Sequence, residues 1–141
     1  MASRLCLDCG LNRLQDNPED GLINLKRSWF WFTYGLDKGF ALNLGLTSSF
    51  SDFDITTPYP EFPKGPTYGM ITLWLDFAKV QGRIYEDLYS AQGLLKDTAS
   101  KITAVQNLSV ELRLLQTRCK VGIALSIGTF ESCLTETRKH V

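Results

Sequence analysis

An all-α fold of about four helices, with a long proline-rich loop between the second and the third, is predicted by three observations in this 141-residue sequence. Apolar residues recur at three- and four-residue steps through residues 22–44, 68–90 and 98–118. Gly10, Gly45 and Gly93 stand where successive runs stop or divide. Pro58, Pro60, Pro63 and Pro66 cluster between the second and third runs, and each forces extended or turn geometry on its predecessor.

The length suits one domain with a single core. A hydrophobic content of 44% and an aromatic content of 11% are those of a globular chain and not of a disordered one. Fifteen basic residues balance fifteen acidic ones. A domain that grips phosphates usually carries a basic excess, so direct nucleic-acid binding by this chain is disfavoured. No charged-then-apolar leader opens the chain, and its apolar runs fall short of the ~20 residues of a membrane-spanning helix. A soluble intracellular protein is the expectation, with no membrane partner. Cys6, Cys9, Cys119 and Cys133 are irregularly spaced, which argues for reduced thiols over a disulfide framework.

Residues 2–13 read as the last turns of a helix, with Ala2, Leu5 and Cys9 on one face and Gly10 as its stop. An apolar pattern already in phase at the first residues points to a chain cut from something longer. Residues 14–21 form a polar turn on Asn17, Pro18 and Gly21. In the second helix Leu22, Leu25, Trp29, Phe32, Leu36 and Phe40 form the main stripe, with Phe30, Tyr34 and Ala41 on a second face and Trp31 between. A helix so apolar all round is expected to be buried on several sides. Gly35 and Gly39 would let another backbone approach. Asp37, set in that helix, needs a partner, and neither Lys38 nor Arg27 is well placed.

Residues 46–67 form a long loop that Phe50, Phe53, Ile55 and Tyr59 could pack. In the third helix Met70, Trp74, Phe77, Ile84 and Leu88 form one stripe, which Ile71, Leu75, Ala78, Tyr85 and Tyr89 widen. Arg83 and Asp87 are spaced for an ion pair one turn apart. The fourth helix carries Ile102, Val105, Leu108, Leu112, Leu115 and Cys119 as a two-helix packing seam. The tail, residues 119–141, changes character: Val121, Ile123, Leu125 and Ile127 alternate with small residues in a strand-like period, and Gly122 and Gly128 argue against continuing the helix.

No catalytic constellation emerges. Cys6 and Cys9 have metal-motif spacing without the second pair that a zinc site needs, so buried structural thiols are favoured. His140, the lone histidine, is one residue from the C-terminus. Asp52 and Asp54, beside Ser48, Ser49, Ser51 and Thr56, suit turn and capping roles better than paired-carboxylate chemistry. The cluster from Trp29 to Phe32 could floor a ligand pocket but is more readily core.

With these residues in view, the chain resembles the middle homology region of fungal binuclear zinc-cluster transcription factors. That family's pattern is a helix ending in Leu-Gly-Leu-His-Arg, a polar turn, Arg-x-x-x-Trp with Tyr-x-x-Asp-Arg beyond, Gly-Arg-Pro, and an acidic Asp-x-Asp-Ile loop closing on proline. The matching residues are Gly10 with Leu11–Arg13, Arg27, Trp31, Tyr34, Leu36-Asp37-Lys38, Ala41, Gly45, Asp52, Asp54-Ile55 and Pro60. A later helix of the family matches Phe77 to Tyr85, including Gly82, and then Leu88-Tyr89-Ser90. The chain departs where Gly45-Leu46-Thr47 replaces Gly-Arg-Pro, where Lys38 replaces an arginine and where Asn12 replaces a histidine.

The resemblance covers residues 1–118 and implies a partial regulatory domain of antiparallel helices within a larger helical domain. The implied protein is a nuclear, non-catalytic regulator of transcription by RNA polymerase II. It implies a protein partner or small effector, and self-association through apolar surface left uncovered. It implies no cofactor here: zinc and DNA belong to a six-cysteine cluster that this sequence lacks. The competing reading is a self-contained helical module for a small ligand or partner helix, with a pocket lined by Trp29, Trp31 and Trp74. An enzyme using Asp37 or the Asp52/Asp54 pair lacks an accompanying base and nucleophile.

Overall fold

The second helix is built around a stripe of bulky side chains with polar ends, and that stripe is the inner face of the fold. The computed structural model describes the backbone of residues 2–61 and 66–137, with the side chains of 2–61 and 69–120. Its elements are α1 (Ala2–Asp8), a 3-10 turn (Leu11–Arg13), α2 (Ile23–Leu44), a second 3-10 turn (Asp52–Asp54), α3 (Pro66–Ile84) running into a π-helical turn (Tyr85–Tyr89), α4 (Ala91–Leu95) and α5 (Thr98–Thr137). No strand occurs among the described residues, so the all-α class is borne out.

The helix boundaries follow local chemistry. Gly10 (φ 66°) and Gly45 (φ 67°) adopt the left-handed conformation that ends α1 and α2, a geometry with no Cβ penalty only for glycine. Before α2, the Leu22 N–H and the Lys26 ammonium both donate to the Asp20 carboxylate. Those two bonds, Lys26 first, hold the Asp20 carboxyl below its usual range. Pro66 stands first in α3, where its missing N–H has no helical partner to lose. Ser90 caps α4 by accepting from the Gly93 N–H. Gly93 is obligatory in this reversal, because a Cβ there would lie 2.7 Å from the Asp87 carbonyl oxygen. The Asp97 carboxyl, lowered chiefly by its hydrogen bonding to Ser100, opens α5.

The faces of α2 are assigned opposite to the expectation. Leu22, Leu25, Trp29, Phe32, Leu36 and Phe40 are 40–61% exposed. Arg27, Phe30, Trp31, Tyr34, Lys38 and Ala41 are buried instead. The helix is therefore buried on one side and not on several. The core joins Cys6, Phe30, Trp31, Tyr34 and Phe50 to Leu75 and Ala78 of α3. Phe30 meets Trp31 and Phe50 edge-on, at centroid separations of 5.2 and 5.4 Å. Trp74 lies across Gly35, whose missing side chain makes the space.

Other expected faces shift by the same logic. In α1 Cys6 is buried while Leu5 and Cys9 are exposed, so only one of the N-terminal thiols is structural. In α3 Leu75 and Ala78 of the widening face are core and Met70 and Phe77 of the main stripe are exposed, while Tyr89, expected on the widening face, is exposed in the π-helical turn. Arg83 turns to Glu111 of α5 and Asp87 to Lys96, so the pair expected between Arg83 and Asp87 does not form. The α5 seam is engaged at Leu108, while Ile102 and Val105 remain exposed. Arg118 donates to Asp76 at 2.8 Å and fixes the register of α5 on α3. α5 continues to Thr137, which overturns the strand-like reading of residues 121–127. A helix already nucleated gains a hydrogen bond with each added residue, whereas an alternating segment needs a partner strand. The side chains of residues 121–141, Cys133 and His140 included, lie outside the described set.

Candidate functional site

The loop after Gly45 wraps the inner face of α2 and supplies acceptors for Trp31, Tyr34 and Lys38 on it. The Trp31 indole N–H donates to the Pro58 carbonyl at 2.8 Å. The Tyr34 hydroxyl donates to Asp52 Oδ1 at 2.9 Å. Lys38 is fully buried, and its Nζ reaches the Phe50 carbonyl at 2.8 Å, Asp52 Oδ1 at 2.9 Å and Glu86 at 3.7 Å. Its ammonium also lies 5.4 Å from the Tyr34 ring centroid. Arg27 pairs with Asp16 of the preceding turn. Phe50 is buried and Ile55 and Tyr59 pack against the core, but Phe53 is 94% exposed and contributes nothing to it.

Among the described residues Asp37 has no basic partner. Ser3 Oγ donates to it at 2.9 Å, Ser48 Oγ at 2.7 Å and the Ser49 N–H at 2.8 Å. The turn that lacks the family's arginine thus holds this carboxylate with hydroxyl and amide donors. Asp54 accepts from Asn12 Nδ2 and from Arg13, while Thr57 Oγ1 bridges the Leu14 N–H and the Leu11 carbonyl. Asn12 is buried and also takes the Thr56 and Thr57 N–H groups on its carbonyl. Asp52 and Asp54 therefore clamp segments distant in sequence, which is a different role from local turn acceptors. Pro60 is buried at the end of this loop.

Gly82 faces Lys38: a Cβ there would lie 2.9 Å from the lysine Cδ. The glycine leaves room for the lysine stem, which joins α3 to the loop cluster. Tyr85 and Thr47 bring their hydroxyls within 3.4 Å, and Tyr89 is exposed. Lys38 registers in the sequence as a replacement for arginine and as a poorly placed partner for Asp37, not as a buried ion. The signal that could have found it is its place on the stripe Arg27, Trp31, Tyr34, Lys38, Ala41, whose steps of four and three mark one helix face.

Between this stripe, the loop and α3 lies a cavity of about 410 Å³, lined by Trp31, Tyr34, Asp52, Ile55, Tyr59 and Lys79 with Thr56 and Thr57. Trp29 and Trp74 do not line it, so the expected three-tryptophan pocket does not form. Burial first, and Asp52 second, raise the Tyr34 phenol far above its ordinary range. Burial and then Asp76 do the same for Tyr59. Both phenols are hydrogen-bond donors at neutral pH and not bases. A native state that keeps protons the unfolded chain loses near pH ~10 is at full stability below that pH and loses stability above it. Thermal midpoints should therefore fall progressively as pH rises above about 10, and Tyr34→Phe should flatten that slope. An unchanged slope in the variant would remove Tyr34 as its cause.

Among the described residues no group of three or more His, Cys, Asp and Glu could hold a metal ion, and no helix is long and apolar enough to cross a membrane. The site thus combines a helical frame, a polar clamp and a small cavity. The family model described as the fungal specific transcription factor domain matches residues 1–65, so the resemblance drawn from the motifs is borne out over that region. No curated protein and no solved structure gives a significant match. The matched span includes α1, α2 and the loop through Pro60; the motif residues Gly82, Tyr85 and Tyr89 lie beyond it.

Proposed function

We propose that this chain is regulatory sequence of a fungal, nuclear transcription factor that controls transcription by RNA polymerase II without catalysing a reaction. The carrying observation is the family match over residues 1–65, the span in which the motif residues form one clamp around α2. We extend the domain to residue 118, because Lys38 meets Gly82 and Asp76 meets Arg118; residues 119–141 stay outside it. No cofactor is assigned, since zinc belongs to the family's DNA-binding cluster, and DNA contact would be made through that cluster. The exposed stripe from Leu22 to Phe40 supports a contact surface for a second copy, because monomeric proteins rarely leave more than a few hundred Å² of contiguous apolar area uncovered. That face carries no acidic or basic side chain among its six residues, so two copies would meet there without like-charge repulsion.

The test is a fusion of the full chain to a heterologous DNA-binding domain over a reporter in fungal cells. Output should differ from that of the DNA-binding domain alone at equal protein level, and Trp29→Glu with Phe32→Glu should reduce the difference while leaving the helical circular dichroism intact. Output equal to that of the DNA-binding domain alone overturns the regulatory reading. A full effect in the double variant overturns the role given to the exposed face.

A further inference from the structure

The cavity beside Tyr34 has one charged group, Lys79, that makes no ion pair among the described residues. Lys79 Nζ lies 4.6 Å from the Tyr59 ring centroid and 5.2 Å from that of Trp31, and it has no carboxylate or carbonyl partner among the described residues. Several of the surrounding polar groups already have partners. Asp52 Oδ1 takes Tyr34 and Lys38, the Tyr59 hydroxyl donates to Asp76, and Asp76, one turn before Lys79, also holds Arg118. The Trp31 N–H and the Thr57 hydroxyl are bonded to backbone carbonyls. The cavity wall thus offers an ammonium held by two ring faces, the Thr56 hydroxyl, which has no partner among the described residues, the apolar surface of Ile55 and, at one side, the Asp52 carboxylate already paired with Lys38.

We propose that this cavity binds a small organic monocarboxylate, with its acid group on Lys79 and its carbon frame against Ile55 and the aromatic wall. A volume of about 410 Å³ is within the range of small-ligand sites. A charge-assisted bond to Lys79 satisfies an ammonium that the rings alone satisfy only in part. One free cation balances one negative charge. A phosphate or dicarboxylate would leave charge unpaired against an aromatic wall, at a desolvation cost a single ammonium cannot offset. Binding as such stands apart from the regulatory reading; that the ligand is the domain's effector rests on it.

The test uses the full chain labelled with 5-fluorotryptophan, whose three ¹⁹F resonances are assigned with Trp29→Phe and Trp74→Phe. Benzoate is titrated against benzamide, its neutral counterpart, at constant ionic strength. Benzoate should move the Trp31 resonance saturably and leave that of exposed Trp29 in place, and benzamide should move neither. Lys79→Gln should weaken benzoate binding about tenfold or more, whereas Lys79→Arg, which keeps the charge, should stay nearer the parent. The proposal is overturned by a non-saturable response, by equal shifts with benzamide, by Trp29 moving together with Trp31, or by a folded Lys79→Gln variant that binds as the parent does. Should Lys79→Gln fail to fold, the benzoate–benzamide contrast in the parent and the Arg variant decides the outcome. Binding without any reporter effect would leave the site standing and remove its regulatory role.

Discussion

Asp52→Ala is expected to destabilise the fold by about 3 kcal/mol or more, because it leaves the Lys38 ammonium buried without its nearest carboxylate. Lys38 is fully buried, while the side chain of Asp52 is 39% exposed and that of Glu86 is 55% exposed. The asymmetry sets the order of the two single variants. Lys38→Met removes the group that cannot reach water, and the two carboxylates it leaves can rehydrate. Its cost should be nearer 1–2 kcal/mol, for the lost bond to the Phe50 carbonyl and the repacked stem. Glu86, at 3.7 Å, is too distant and too wet to replace Asp52. Urea unfolding of both variants provides the check. An Asp52→Ala variant as stable as Lys38→Met would mean that the buried lysine is not held as an ion at all.

Gly35→Ala is the second large effect. An ideal Cβ there would lie 2.6 Å from Trp74 Cζ2 and 2.8 Å from Cζ3, inside any real contact distance. Two contributions oppose each other. Alanine gains up to ~1 kcal/mol of helix propensity over glycine, whereas overpacking a formed contact typically costs about 1–3 kcal/mol and displaces a rigid ring. The expected result is a net loss of about 2 kcal/mol, relieved when Trp74→Leu is added to remove the ring. Denaturation midpoints across the double-mutant cycle test it, and additive losses would show that the ring is not what excludes the side chain. Gly39 supplies the internal comparison, since its nearest neighbour is the flexible end of Gln81 at 3.7 Å. Both glycines read alike in the sequence, yet only Gly35 is packed against a ring.

The elements were legible because they depend on local chemistry. The run from Leu22 to Leu44, the stops at Gly10 and Gly45 and the break around Gly93 all come from spacing and from conformations only glycine adopts without strain. The tail shows the limit of the same reasoning. The alternation of Val121, Ile123, Leu125 and Ile127 is four residues deep, too short to outweigh a helix already running from Thr98. Of the site, the motif residues were legible as a set, but their connections were not. Tyr34 meets Asp52 across 18 residues and Asn12 meets Asp54 across 42. No periodicity encodes such pairings.

The sequence by itself determined that the chain is helical, where α1 and α2 stop, and which residues carry the family pattern. The tertiary structure alone decided which side of α2 faces inward. Counting carbon favours the stripe of Leu22, Trp29, Phe32 and Phe40, yet these are exposed, while Arg27, Trp31, Tyr34 and Lys38 are buried. The reason is that a large side chain with a polar end can be buried once that end has a partner. Asp16, the Phe50 carbonyl, Asp52 and the Pro58 carbonyl are those partners, and all are supplied by segments flanking α2 that only the folded chain brings onto it.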